Sequence, residues 1–175
     1  CGPVSWNQKR CVEERGADGR WRQGPFRIGE VEKLMNFGKD STAGAVLNGK
    51  FYVAGGVDEE GKRLDSLELF DPTANVWEEM AAMHTKRSHC GAAVLDGKLY
   101  VAGGYYGTSL DVVERYDPLI NSWESMASLI TPRDEHGVAA VGGRLYVAGG
   151  VSGTTKLSSV ECYDPSTNSW QEVAP

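Results

Sequence analysis

Long apolar runs, polybasic stretches and C-x-x-C cysteine pairs are all missing from this 175-residue sequence, and residues 41–175 show no amphipathic helix. Without a run of roughly 18 or more apolar residues, no segment reads as a membrane span. None has the layout of a signal peptide either. The chain carries 18 Lys and Arg against 24 Asp and Glu, a net charge of −6. Residues 1–35 alone lean basic, with seven Lys or Arg against five Asp or Glu. Nucleic-acid and anionic-membrane binders need concentrated positive charge, because phosphate neutralisation dominates their affinity. Neither partner is therefore expected. The four cysteines, Cys1, Cys11, Cys90 and Cys162, form no C-x-x-C pair. Cys90 and Cys162 sit in apolar, strand-like settings and read as small core residues in a reducing compartment, the cytoplasm or the nucleus. A Cys1–Cys11 disulfide stays open as an alternative. The first residue is Cys and not Met, which points to a piece of a longer chain, so missing targeting signals decide nothing.

Glycine, by contrast, is abundant: 22 residues, which favours tight turns over long helices. The glycines are also periodic. "FYVAGG", "LYVAGG" and "LYVAGG" end at Gly56, Gly104 and Gly150, spaced 48 and 46. Asp71-Pro72, Asp117-Pro118 and Asp164-Pro165 are spaced 46 and 47, as are Trp77, Trp123 and Trp170. Three kinds of marker sharing one period define an internal repeat. From Trp77 to Gly104, and again from Trp123 to Gly150, is 27 residues. Phe70, Tyr116 and Tyr163 each precede a Trp by 7, but follow the glycines by 14, 12 and 13. Fixed spacings read as packed structure and the variable one as a surface loop.

Each unit resolves into four strands. In the middle unit "HCGAAVL" (89–95) is a buried strand, and "DGK" (96–98) supplies the positive φ of a hairpin turn. The equivalent turns are "NGK" (48–50) and "GGR" (142–144). "LYVAGG" (99–104) is apolar throughout and belongs between other strands. "DVVERYD" (111–117) and "SWESMA" (122–127) alternate, separated by a turn at Pro118–Asn121. Four-stranded antiparallel units at this period describe blades of an all-β propeller. The Tyr and Trp residues then fill the wedges between blades, each Trp burying on the order of 200 Å2. The paired glycines let neighbouring backbone approach closely.

Apolar strand–Gly-Gly, then E-x-Y-D-P, then Trp, resembles the kelch repeat. It is carried by "FYVAGG…ELFDPTANVW", "LYVAGG…ERYDPLINSW" and "LYVAGG…ECYDPSTNSW", the first with Phe70 where the family has Tyr. The resemblance covers 41–175 and implies three blades, 41–83, 84–129 and 130–175. Residues 1–40 read as a divergent segment, a hairpin and a partial blade. "GRWRQ" (19–23) matches a degenerate "NSWES" strand, Met35 aligns with Met83, and a turn is expected at Gly16–Gly19. Kelch propellers most often have six blades. An open blade edge exposes unpaired backbone, so further blades or another chain are expected to close the ring.

Catalytic constellations are not evident. His136 aligns near His89, but no carboxylate or thiolate set completes a zinc site with His84, His89 or His136. The Tyr–Cys pair of copper radical oxidases and the E-x-x-x-D-x-x-x-H pattern of specifier proteins cannot be assigned. The glycine pairs are neither G-x-G-x-x-G nor a P-loop, and "GTSLD" (107–111) is only loop. The reading is a non-enzyme without a cofactor. Resemblance to adaptor-type kelch propellers implies partner-protein binding by two connectors of each blade. These place Asp40, Ser88, His89, Asp134 and Glu135 ahead of the first strands, and Arg63, Tyr105, Tyr106, Ser109 and Lys156 in the loops after the glycines. Lys39, Arg87 and Arg133 precede the first group, with Arg87 and Arg133 read as bonding neighbouring backbone. The implied role is substrate adaptor of a ubiquitin ligase on a longer chain with an F-box or BTB domain. The alternatives are a kelch-type metal-dependent enzyme and a cytoskeletal scaffold.

Overall fold

The computed structural model describes residues 13–15, 21–23 and 38–173. The expected turn at Gly16–Gly19, the Met35 alignment, Cys1 and Cys11 all lie outside these residues. Strands β1 (Glu13–Arg15) and β2 (Trp21–Gln23) pair antiparallel, with Arg15 opposite Trp21, in a two-stranded sheet of their own.

Residues 38–173 build three four-stranded antiparallel blades. The first comprises β3 (Ala43–Leu47), β4 (Lys50–Ala54), β5 (Leu67–Asp71) and β6 (Val76–Met80). The second comprises β7 (Gly91–Leu95), β8 (Lys98–Ala102), β9 (Val113–Asp117) and β10 (Ser122–Met126). In the third, β11 (Gly137–Val141), β12 (Arg144–Ala148), β15 (Val160–Asp164) and β16 (Ser169–Val173) form the sheet, while β13 (Val151–Ser152) and β14 (Thr155–Lys156) make a small hairpin in its loop. The all-β, four-stranded reading holds in every repeat. The inner hairpins turn where expected: both central residues have positive φ, 53° and 75° at Asn48-Gly49, 50° and 70° at Asp96-Gly97. That is the turn whose twist matches paired strands.

Apolar patterning explains the stacking. The first strands of neighbouring blades touch along the inside. Tyr52 meets Tyr116 at 6.0 Å between ring centroids, and Tyr100 meets Tyr163 at 5.9 Å, each pair bridging two blades. Tyr116 and Tyr163 in turn lie 5.2 and 5.1 Å from Trp123 and Trp170. The indole N–H of Trp123 donates to the Ala81 carbonyl at 2.7 Å, and that of Trp170 to Ala127 at 2.9 Å. Asn121 Oδ1 accepts from Ala81 N–H and Tyr116 O–H, and Asn168 Oδ1 repeats this with Ala127 and Tyr163. Tilted aromatic pairs with a satisfied polar handle are the favourable way to fill such a wedge.

A buried ion pair pins each connector. The Arg87 guanidinium donates to the Glu114 carboxylate and to the Gly103 and Val112 carbonyls. Glu114 also accepts from the His84 and Thr85 N–H groups. Arg133 repeats the pattern with Glu161 at 2.6 Å and with the Gly149 and Ser159 carbonyls, and Lys39 pairs Glu68 at 2.7 Å. The arginine pairs are fully buried. Meanwhile the backbone of the same residue is held by the preceding blade: Arg87 N–H donates to Leu64 O, and Gly56 N–H donates to Arg87 O. A Cβ on Gly55 would lie 2.5 Å from the Arg87 carbonyl oxygen, and one on Gly103 equally close to that of Arg133. The glycine pairs are thus seats for the next blade's connector.

Removing one partner of a buried, hydrogen-bonded ion pair typically costs about 3–5 kcal/mol. Arg133→Ala and Glu161→Ala are each expected to lower the unfolding free energy by about that much in denaturant titrations, with the double variant well short of the sum. A loss under about 1 kcal/mol for either would show that the pair does not hold the connector.

Candidate functional site

The loops following the glycine pairs and the connectors between blades converge on one end of the sheets. Their backbones are tied in pairs by two-way hydrogen bonds: Asp40 with Val57, Ser88 with Tyr105, Asp134 with Val151. Val57 and Tyr105 also bridge Arg63 and Ser109 further along their own loops. The ten residues expected at the rim therefore do come from segments fixed against each other.

Their accessibility separates them. Ser88 and Ser109 are buried, and Asp134 is nearly so. Ser88 Oγ faces the Tyr105 carbonyl and the His89 ring, and Ser109 Oγ accepts the Gly153 N–H of the next blade at 3.0 Å. The Ser88 and Ser109 hydroxyls thus turn inward to backbone groups, while Asp134 is held through its backbone bonds to Val151. Asp40, Glu135 and Lys156 are exposed, while His89, Arg63 and Tyr105 are half-buried. Tyr106 is 55% exposed, at a turn closed by Tyr106 N–H to the Thr108 carbonyl.

Two further side-chain contacts link the first and second blades at this surface, and neither was visible in sequence spacing. The Arg63 guanidinium lies 4.7 Å over the Tyr105 ring, joining the first blade's loop to the second's. Such a stack both orders the cation and stiffens the aromatic. Ser41 Oγ and His89 Nε2 are 3.0 Å apart, and His89 Nδ1 is 3.0 Å from Ser88 Oγ. Ser41, His89 and Glu135 occupy equivalent positions with φ of 52°, 52° and 55°. Their backbones form a chain across the blades: Glu135 N–H donates to His89 O, and His89 N–H to Ser41 O. Non-glycine residues in this region are held by surrounding structure. His89 thus corresponds to Glu135, and His136 to Cys90. Beside the aromatic pair, the first blade's loop is acidic. Asp58 accepts from the Glu60 and Lys62 N–H groups at 3.1 and 2.8 Å, and Asp58, Glu59, Glu60, Lys62 and Leu64 line an open recess.

Burial governs the titrating groups nearby. His136 packs in the seam against Gly91 and Gly103, and burial, with Arg133 close by, lowers its pKa to about 4. Burial raises the Cys90 thiol to about 11, leaving it unreactive. Among the described residues, no group of three or more His, Cys, Asp or Glu could hold a metal ion, and no helix is long and apolar enough to cross a membrane. The partners of Lys39, Arg87 and Arg133 had a usable signal: Glu68, Glu114 and Glu161 recur two residues before the aromatic in all three repeats.

Stacked four-stranded blades with aromatic seams and a loop-built end define a β-propeller. The chain belongs to the kelch-repeat family, the Kelch motif matching residues 41–84, 86–130 and 132–175. It is similar to an F-box/kelch-repeat protein of Arabidopsis thaliana, 35% identical over 68 residues, which is 39% of this chain and 16% of that protein. The solved structure of YjhT shares the fold with a TM-score of 0.68 at 21% identity, over 77% of this chain and 51% of YjhT. The chain thus matches about half of YjhT's length and a smaller share of the plant relative.

His136 makes stability pH-dependent with a defined sign. Its folded pKa lies below the ordinary value of 6.5, so the unfolded chain takes up the proton first as pH falls. Its contribution is complete above pH 6.5 and is lost progressively toward pH 4, on the order of 3 kcal/mol in all. His136→Cys, which installs the residue of the equivalent position, should flatten the pH profile of the unfolding midpoint over that window. An unchanged slope would show that His136 does not titrate in the seam.

Proposed function

We propose that this chain is a non-catalytic recognition module that binds a partner protein at the loop end of its blades. It delivers that partner as the substrate of a ubiquitin ligase. The observation that carries the reading is the Arg63–Tyr105 stack with Tyr106 exposed beside it. Aromatic and arginine side chains held rigid on a scaffold are the residues that dominate interface energy, because little conformational freedom is lost when a partner covers them. The same connectors and loops expose Asp40, Glu135, the Glu59–Glu60 turn and Lys156, a mixed-charge set suited to partner selection. Repeats offering near-equivalent positions with different tips favour many modest contacts over one differentiated catalytic set. The ligase role rests on the F-box/kelch-repeat relative, matched over 68 residues.

Quantitative affinity capture with wild type and the Tyr105→Ala/Tyr106→Ala variant tests the reading. The variant is expected to lose roughly 1–2 kcal/mol or more of partner affinity while its circular dichroism is unchanged. The captured proteins should accumulate in cells when the native gene is disrupted. Equal capture by the two chains would remove the rim from partner binding, and unchanged partner levels would remove the ligase role.

A further inference from the structure

The asparagines among the described residues share one backbone conformation: Asn48, Asn75, Asn121 and Asn168 have φ of 53°, 55°, 48° and 47°. What surrounds their side chains differs. Asn121 Oδ1 accepts from the Ala81 N–H at 2.9 Å and the Tyr116 hydroxyl at 2.8 Å. Asn168 Oδ1 accepts from the Ala127 N–H at 3.0 Å and the Tyr163 hydroxyl at 2.9 Å. Neither amide can rotate without opening a seam. Ser122 and Ser169 follow these two, and the β-branched Val76 follows Asn75, so a side chain screens each next backbone nitrogen. Asn48 has neither restraint. It is exposed at the tip of the β3–β4 turn, and Gly49 follows it. Among the described residues, neither the Asn48 side chain nor the Gly49 N–H has a hydrogen-bond partner. A Cβ on Gly49 would meet nothing within 4 Å.

The inner hairpins of the three blades supply a comparison. They turn at Asn48-Gly49, Asp96-Gly97 and Gly142-Gly143, with φ pairs of 53° and 75°, 50° and 70°, 58° and 76°. All six residues are exposed. Backbone shape and access are therefore matched, and only the chemistry at the first turn position changes: a carboxamide, a carboxylate, no side chain.

We propose that Asn48 is a site of spontaneous covalent modification through a succinimide. Fraying of the turn lets the Gly49 nitrogen, its proton taken by hydroxide, attack Asn48 Cγ. The N–Cγ bond forms, the Cγ–Nδ2 bond breaks, and the proton lost by Gly49 ends on the departing ammonia. Water then opens the imide ring. Cleavage at Cγ leaves an aspartate, and cleavage at the backbone carbonyl leaves an isoaspartate, whose main chain runs through Cγ. One water is consumed and one ammonia released. Asp96 would have to expel hydroxide in place of ammonia and reacts more slowly, and Gly142 has no group to react.

The two products differ in what they do to the blade. An aspartate is what the second blade carries in the same turn, so that product keeps the hairpin and adds one negative charge. An isoaspartate adds a methylene to the main chain. The turn then no longer holds Leu47 opposite Lys50, where Leu47 is buried in the core and Lys50 pairs with Asp71 at 3.0 Å. Turn length and type fix hairpin register, so this product loosens the inner edge of the first blade.

Peptide mapping of the purified chain, held at physiological temperature and mildly alkaline pH in heavy-oxygen water, tests the proposal. Asn48 should convert to aspartate and isoaspartate carrying heavy oxygen at least about tenfold faster than Asn121 or Asn168, which need a seam to open where Asn48 needs only a turn to fray. The rate should climb with pH, since hydroxide removes the Gly49 proton. Asn48→Gly, which installs the third blade's turn, should abolish the conversion with circular dichroism unchanged. The isoaspartate form, separated chromatographically, should unfold at lower denaturant concentration than Asn48→Asp, which should match the wild type. An Asn48 that stays intact in the folded chain but converts in denaturant would overturn the proposal, because the turn then protects it. Equal conversion at Asn121 and Asn168 would overturn it as well, because that reports unfolding of the whole blade. An isoaspartate form as stable as Asn48→Asp would remove the effect on register.

Discussion

Everything at the loop end depends on the buried pairing of each connector cation with a third-strand glutamate. Arg87 and Arg133 are fully buried, and each spends its fork on one carboxylate and two carbonyls. The carboxylate in turn accepts two connector N–H groups that would otherwise be orphaned. Neither charge is tolerable in the interior alone, so the pair and its hydrogen bonds stand or fall together. Because the same arginine's backbone is gripped by the preceding blade, this one residue sets both the path of the connector and the placement of consecutive blades.

The seams complete that geometry with less directional chemistry. Tyrosine, tryptophan and asparagine meet there: each tyrosine hydroxyl donates to the asparagine of its own blade, while Trp123, Trp170 and the two asparagines bond Ala81 and Ala127 across the boundary. Glycine is needed where the connector carbonyl enters, because a methyl group would sit 2.5 Å from it. The third seam residue is free to vary: Cys90 in one blade and His136 in the next occupy one site, and the imidazole gives that seam its sensitivity to acid. A repeated scaffold thus tolerates local differences that do not alter how the blades stack.

Function belongs to what the scaffold leaves free. The two-way backbone bridges at Asp40, Ser88 and Asp134 hold the loop bases in one conformation in each blade, while the loop tips diverge into an acidic turn, a tyrosine pair and a short hairpin carrying Lys156. A rigid base with a variable tip lets a surface recognise a partner without paying much to order itself. Ser88 and Ser109 show the limit of alignment as a guide: their positions in the loops are right, but their hydroxyls serve the protein's own backbone.

The sequence by itself determined the repeat, its strands and its turns. These are local matters, written in the spacing of Gly-Gly, Asp-Pro and Trp, in the alternation of apolar residues, and in the Asn-Gly and Asp-Gly pairs that allow positive φ. It also marked the glycines as points of close approach. Only the tertiary structure decided which rim side chains reach solvent, that Arg63 lies across Tyr105, and that Ser41, His89 and Glu135 form one line of backbone bonds. Those contacts join residues 42, 46 and 48 positions apart in different blades, and their geometry follows from how the sheets stack, which no local pattern encodes.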